Sequence, residues 1–261
     1  MSKEPEFRLR RLGHAQLGAI TIAACVMCTP QLFAGPLHDA ANEGDVDLVN
    51  KLIAEGASIS EYESPIGAPL HWAAAKGHAD VVTALLSHGA DPNLLPTAID
   101  ANTALRQAAE FGRLDVVKLL LDAGADPNIG EQRFWDLPLH MAAANNHAEV
   151  VALLLERGAT LEPQGGGKKK TPLHDAARWG SLDALEILVD AGANINFIDG
   201  YGWTPLQVAT NYNKIDSVQK IVGYGPDFTL VDKLGLTALG MAMKMNNDEI
   251  VGILKAAGAQ E

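Results

Sequence analysis

Eight histidines, two cysteines spaced Cys-x-x-Cys and a Gly-Gly-Gly-Lys-Lys-Lys-Thr run are the residues of this 261-residue chain whose types could do chemistry. The chemistry would be metal ligation, thiol exchange and phosphate binding, and each needs a particular setting. Metal ligands must all approach one ion to about 2 Å. His38, His71, His140 and His174 instead return at one fixed place in a recurring phrase, one per copy. Neighbouring copies of a packed helix layer stand about 10 Å apart, too far to share an ion. His78 and His147 hold a second recurring place, His88 falls near a helix end whose dipole suits it, and His14 lies in the N-terminal segment. No metal site is expected. Cys25 and Cys28 sit in an apolar stretch with no βαβ pattern around them, so they read as small apolar residues. The run from Gly165 to Thr171 fails as a phosphate loop, because Glu162 stands where the first glycine of Gly-x4-Gly-Lys is required and no strand precedes it. It reads as a solvated basic finger. No Gly-x-Ser-x-Gly elbow occurs, residues 35–261 contain no cysteine, and Asp91, Asn93, Asp126, Asn128, Asn194 and Asn196 suit tight turns. Neither a catalytic set nor a cofactor site is expected, and the chain reads as a non-enzyme.

The elements that carry these residues repeat. The phrase reads GPLHDAA from Gly35, APLHWAA from Ala68, TALRQAA from Thr103, LPLHMAA from Leu137, TPLHDAA from Thr171, TPLQVAT from Thr204 and TALGMAM from Thr237. Its leucines (Leu37, Leu70, Leu105, Leu139, Leu173, Leu206 and Leu239) are 33, 35, 34, 34, 33 and 33 residues apart. A second run follows each phrase, as in VVTALLSHGADPN after His78 and DVVKLLLDAGADPN after Leu114. A fixed period of this length marks stacked repeats rather than one closed globule. Proline fits the first turn of a helix, where its missing N–H would be unpaired anyway. Thr171 and Thr204 are placed to cap the helices that follow them. Val81, Val82, Leu85 and Leu86 form a broad buried stripe on a second helix, and Gly89, Gly124, Gly158 and Gly192 end the second helices in a left-handed turn.

These two runs resemble the ankyrin repeat, Thr-Pro-Leu-His-x-Ala-Ala followed by Val-Val-x-Leu-Leu-Leu-x-x-Gly-Ala-Asp-x-Asn, from Gly35 onward. The resemblance implies an all-α solenoid of about seven helix-turn-helix repeats joined by short β-hairpin-like fingers. The repeats span residues 35–67, 68–101, 102–135, 136–169, 170–202, 203–235 and 236–261. It also implies that the phrase histidines bond backbone groups of the loops between repeats. Repeats six and seven are the weakest copies. Gln207 replaces the histidine, Asn213 the glycine, and Gly240 and Gly252 fall inside helices at about 1 kcal/mol each. These two repeats are expected to fray first.

Residues 1–34 read differently. Lys3, Arg8, Arg10 and Arg11 precede an apolar run from Leu17 to Cys28, and a small-residue end follows at Ala34. That order describes a secretory signal peptide, with the repeat domain occupying 35–261. The run is shorter than the roughly 20 residues of a membrane span, so no stable span is expected in the mature chain. The expected location is exported, periplasmic or secreted, with lipid anchoring at Cys25 as the alternative.

The formal charge is −12, and residues 1–34 hold four basic and two acidic residues, so the remainder stands at −14. Nucleic acid needs the opposite sign, which removes it as a partner. In the ankyrin family partners are held on the concave side, by the fingers and the ends of the first helices. Seven of the 12 aromatics beyond residue 34 fall in those places here: Phe111, Phe134, Trp135, Trp179, Tyr201, Trp203 and Tyr212. With Arg133 and Arg178 among them, they have the composition of interface hot spots. The expectation is a monomeric, non-catalytic scaffold that binds a protein partner of unknown identity on the concave face of repeats three to six. The alternative is a small-molecule or sugar-binding module using the same aromatic strip.

Overall fold

The computed structural model of the chain describes residues 35–61, 67–95, 102–130, 137–162 and 169–260. The expected signal segment with Cys25 and Cys28, and the candidate site residues Arg133, Phe134 and Trp135, lie outside the described residues. Gly35–Glu261 forms one compact unit. Its described residues hold 14 helices in seven pairs. The first helices are α1 (Pro36–Glu43), α3 (Pro69–Lys76), α5 (Ala104–Glu110), α7 (Pro138–Ala144), α9 (Pro172–Trp179), α11 (Pro205–Asn211) and α13 (Ala238–Lys244). The second helices are α2 (Val46–Ala54), α4 (Ala79–Ser87), α6 (Leu114–Asp122), α8 (Ala148–Glu156), α10 (Leu182–Asp190), α12 (Ile215–Gly223) and α14 (Asp248–Ala256).

Local chemistry sets each boundary. Proline occupies the first turn of α1, α3, α7, α9 and α11, where an amide donor is not needed. The hydroxyls of Thr103, Thr204 and Thr237 accept from the backbone N–H three residues on, at 3.1, 3.3 and 3.1 Å. At Thr171 the cap is a capping box closed by the His174 ring. Its own N–H donates to His174 Nδ1 at 3.2 Å, and its hydroxyl lies 2.8 Å from the same nitrogen. Each first helix stops on a left-handed residue, such as Gly44, Gly77 and Gly180. In repeats four, six and seven Asn146, Asn213 and Asn246 take that place, with φ between 53° and 58°. Asparagine tolerates this region better than other side chains because it can bond locally.

No helix pair can cover its own apolar side, so the pairs stack. Each first helix packs on the next first helix and each second helix on the next second helix. One apolar core therefore runs through all seven repeats. The seven phrase leucines are at most 3% exposed, and the paired alanines beside them, such as Ala73–Ala74 and Ala142–Ala143, are fully buried. Burying one such leucine contributes about 2 kcal/mol. The small alanines let consecutive first helices approach closely.

Polar ladders cross every junction. The Nε2–H groups of His38, His140 and His174 donate to the carbonyls of Glu61, Lys170 and Trp203 at 2.9, 3.0 and 3.0 Å. At the start of the second helices, His78, Arg113, His147 and Ser181 reach back to the carbonyls of Asn42, Ala75, Glu110 and Ala144, at 2.8 to 3.1 Å. The histidines hold repeats together, as the resemblance implied. Among the described residues, no three His, Cys, Asp or Glu side chains converge as metal ligands would, and no helix is long and apolar enough to cross a membrane.

Candidate functional site

Two described fingers show how the loops are built. In Asp199–Trp203 the Asp199 N–H donates to the Trp203 carbonyl at 2.9 Å, and Asp232 pairs with Leu236 in the same way at 3.0 Å. Inside each hairpin-like loop the aspartate Oδ1 accepts two further backbone N–H groups. These are Tyr201 and Trp203 for Asp199, and Leu234 and Leu236 for Asp232, all at 2.8 to 2.9 Å. The bond from Leu236 N–H, with lesser help from that of Leu234, holds the Asp232 carboxyl below its ordinary range. Gly202, with φ +90°, completes the first turn. The fingers are thereby fixed, and their tips present Tyr201 and Leu234, 50% and 75% exposed. Neighbouring fingers also touch, since Lys233 Nζ donates to the Gly200 carbonyl at 2.6 Å.

The ends of the first helices form a second row. Phe111, Asn145, Trp179, Tyr212 and Met245 hold equivalent places in repeats three to seven. Asn145 breaks the row, leaving half-buried Phe111 apart from Trp179, Tyr212 and Met245. Because α9 packs on α11, Arg178 at the end of α9 reaches Tyr212 just past the end of α11. Its guanidinium carbon stands 4.5 Å from the Tyr212 ring centroid and 5.3 Å from that of Trp179. Such cation–π contacts contribute about 0.5–2 kcal/mol each. The carboxylate nearest in sequence, Asp175, is held instead by Lys170 Nζ at 3.1 Å. The Arg178 Nε is buried with no hydrogen-bond partner, and so is Asp175 Oδ2.

The candidate residues thus divide. Arg178, Trp179 and Tyr212 form one cluster. Tyr201 and Trp203 form another, with ring centroids 6.3 Å apart. Trp203 is half-buried and its backbone is committed to the finger and to His174. Met245, 43% exposed, holds a helix-end place, whereas sequence reasoning passed over Met243, 40% exposed, and Arg106. Arg106 takes the histidine place in repeat three, where it pairs with Glu110 at 2.9 Å and meets Met141 Sδ at 3.1 Å. A break from the phrase, arginine for histidine, was the available signal. Met243 had none, because an apolar residue near a helix end reads equally well as core.

The family model for ankyrin repeats (three copies) matches residues 37–131 and 131–199, more than half of the chain. A search of curated proteins finds no match. Among solved structures, the chain is similar to the crystal structure of the human ASB11 ankyrin repeat domain. The TM-score is 0.76 at 25% sequence identity, covering 87% of this chain and 100% of that one. With the fold, the phrase and the histidine ladder in agreement, the chain belongs to the ankyrin repeat family.

Proposed function

We propose that this chain is an exported scaffold that binds a protein partner through the fingers and first-helix ends of repeats three to six. Ankyrin repeats are a protein–protein interaction module, and the fold typically serves as a non-catalytic scaffold. The observation that carries the docking face is the Arg178–Trp179–Tyr212 cluster. It holds a cation against two aromatic rings on a surface where Trp179 remains 44% exposed. Aromatic residues and arginine dominate interface energetics, and a face already rigid loses little entropy on docking. By their sequence place in the repeat, Arg133, Phe134 and Trp135 are candidates for the same docking role. Export rests on the basic, apolar and small-residue order of residues 1–34.

The test uses the full chain as bait, beside a second bait carrying Trp179→Ala and Tyr212→Ala. A partner retained by the first and lost by the second supports the face. Retention by both moves the site elsewhere. Export is checked by fractionation and N-terminal sequencing, which finds Gly35 first if the signal is removed after Ala34.

A further inference from the structure

We propose that the fingers and first helices of repeats five to seven hold a short acidic segment of the protein partner, an extended stretch in which Asp or Glu alternates with apolar side chains and one carboxylate seats on Arg178. This rests on the docking reading above and deepens it.

Three observations converge. The first is the state of Arg178. Its guanidinium carbon stands over two rings, 4.5 Å from the Tyr212 centroid and 5.3 Å from that of Trp179. Among the described residues its buried Nε has no hydrogen-bond partner. Asp175, three residues back on α9, is occupied by Lys170. A guanidinium held against aromatic rings still offers its N–H groups to a carboxylate, which binds them through parallel hydrogen bonds.

The second is charge segregation in a chain of net charge −12. Over described residues 169–260, the first helices and fingers carry Lys169, Lys170, Arg178, Lys233 and Lys244. Their acids are Asp175, Asp199 and Asp232, each at most 8% exposed and each turned to an internal bond. The second helices lean the other way, with Asp183, Glu186, Asp190, Asp216, Asp248 and Glu249 all exposed against only Lys220 and Lys255. One side of these repeats is therefore positive where the rest of the molecule is negative. A long polyanion would be repelled by the whole chain, whereas a few carboxylates would meet only the basic side.

The third is apolar. Trp179, Tyr201, Leu234 and Met245 are 43% to 75% exposed on that same side. Repeats step by about 10 Å and an extended chain by about 3.3 Å per residue, so the partner advances about three residues per repeat. The two steps from Trp179 to Met245 need about six or seven residues.

The test is a selection from a display library of random peptides about twelve residues long, long enough for two such steps. It uses the full chain, beside full-chain Arg178→Gln and Lys244→Gln. The wild-type pool should become rich in Asp and Glu interleaved with apolar residues, and the Arg178→Gln pool should lose that bias. A selected peptide, labelled and followed by fluorescence anisotropy, should bind about tenfold more weakly when its key Glu is Gln, and equally weakly to Arg178→Gln. Lys244→Gln, which leaves the stacked cluster intact, should weaken it a few-fold and lower its salt dependence. A pool without acidic bias, a bias unchanged in Arg178→Gln, binding that requires a phosphorylated residue, or no enrichment at all would each overturn the proposal. If the bait experiment still captures a partner that depends on Trp179 and Tyr212, only the acidic-segment inference falls; if that capture also fails, the docking reading falls with it.

Discussion

Replacing His71 with glutamine should flatten the acid dependence of stability. His71 is 1% exposed, and burial pushes its pKa down to about 4 from 6.5; backbone hydrogen bonds with Asn102, Leu94 and Ala68 oppose the shift, and the charge of His38 adds to it. Above pH 6.5 the ring is neutral in both folded and unfolded chains, and its titration contributes nothing. As pH falls from 6.5 towards about 4, the unfolded chain takes a proton that the folded chain refuses, so stability falls with pH across that window. Each pH unit costs about 1.4 kcal/mol, which gives about 2 kcal/mol by pH 5 and about 3 kcal/mol below pH 4. Glutamine is the right substitute because repeat six already uses it. Gln207 accepts the Thr204 N–H at 2.8 Å and donates to the carbonyls of Leu230 and Leu236 at 3.1 and 3.0 Å. Urea unfolding of the full chain, followed by far-UV circular dichroism at about pH 7.5 and about pH 5, measures the difference. His71→Gln should lose about 2 kcal/mol less than the wild type on acidification. Curves that run parallel, within about 0.5 kcal/mol, would refute the reasoning. His174, also driven down chiefly by burial against the opposing charges of Asp199 and Asp175 and its bond to Trp203, should add an effect of the same sign.

Two further substitutions probe the stack. A methyl group at Gly112, where φ is +64°, would stand 2.5 Å from His147 Nδ1, whereas one at Gly89, φ +90°, would meet nothing within 4 Å. Gly89→Ala should therefore cost only its left-handed strain, about 1 kcal/mol, and Gly112→Ala clearly more, read as urea midpoints. In repeat seven a methyl at Gly252 meets nothing and one at Gly240 comes no nearer than 3.5 Å to Leu236 Cδ2, so each change to alanine should stabilise by about 1 kcal/mol. Amide exchange of the wild type should show α11 to α14 opening before α3 to α8, with the double alanine variant narrowing the gap. Uniform protection would remove the idea that the C-terminal repeats are weak.

Much of the molecule was legible in one dimension because a repeat protein is built from local rules applied seven times. The spacing of Leu37 to Leu239 determined the number of helix pairs, and Pro, Thr and Gly marked their ends. The histidines could be read as structural because one per period cannot meet at an ion. Even the substitutes obeyed: asparagine took the left-handed place of glycine at Asn146, Asn213 and Asn246, and Gln207 took over the bonds of a histidine.

The site was less legible, because a side chain at a helix end is placed by its neighbour in the next repeat. Phe111 and Trp179 hold equivalent positions, yet Phe111 is half-buried and separated by Asn145, while Trp179 remains exposed beside a stacked arginine. The pairing of Arg178 with Tyr212 joins residues 34 positions apart and depends on how α9 lies against α11. Asp175 and Lys170, five residues apart, pair instead of Asp175 and Arg178, three apart. The period therefore determined the fold, the core and the structural histidines, since each follows from contacts within a repeat or between identical places in adjacent ones. Which aromatics face solvent, which cation Asp175 pairs with and which acids are turned inward were decided only by the packing of non-identical side chains across those junctions.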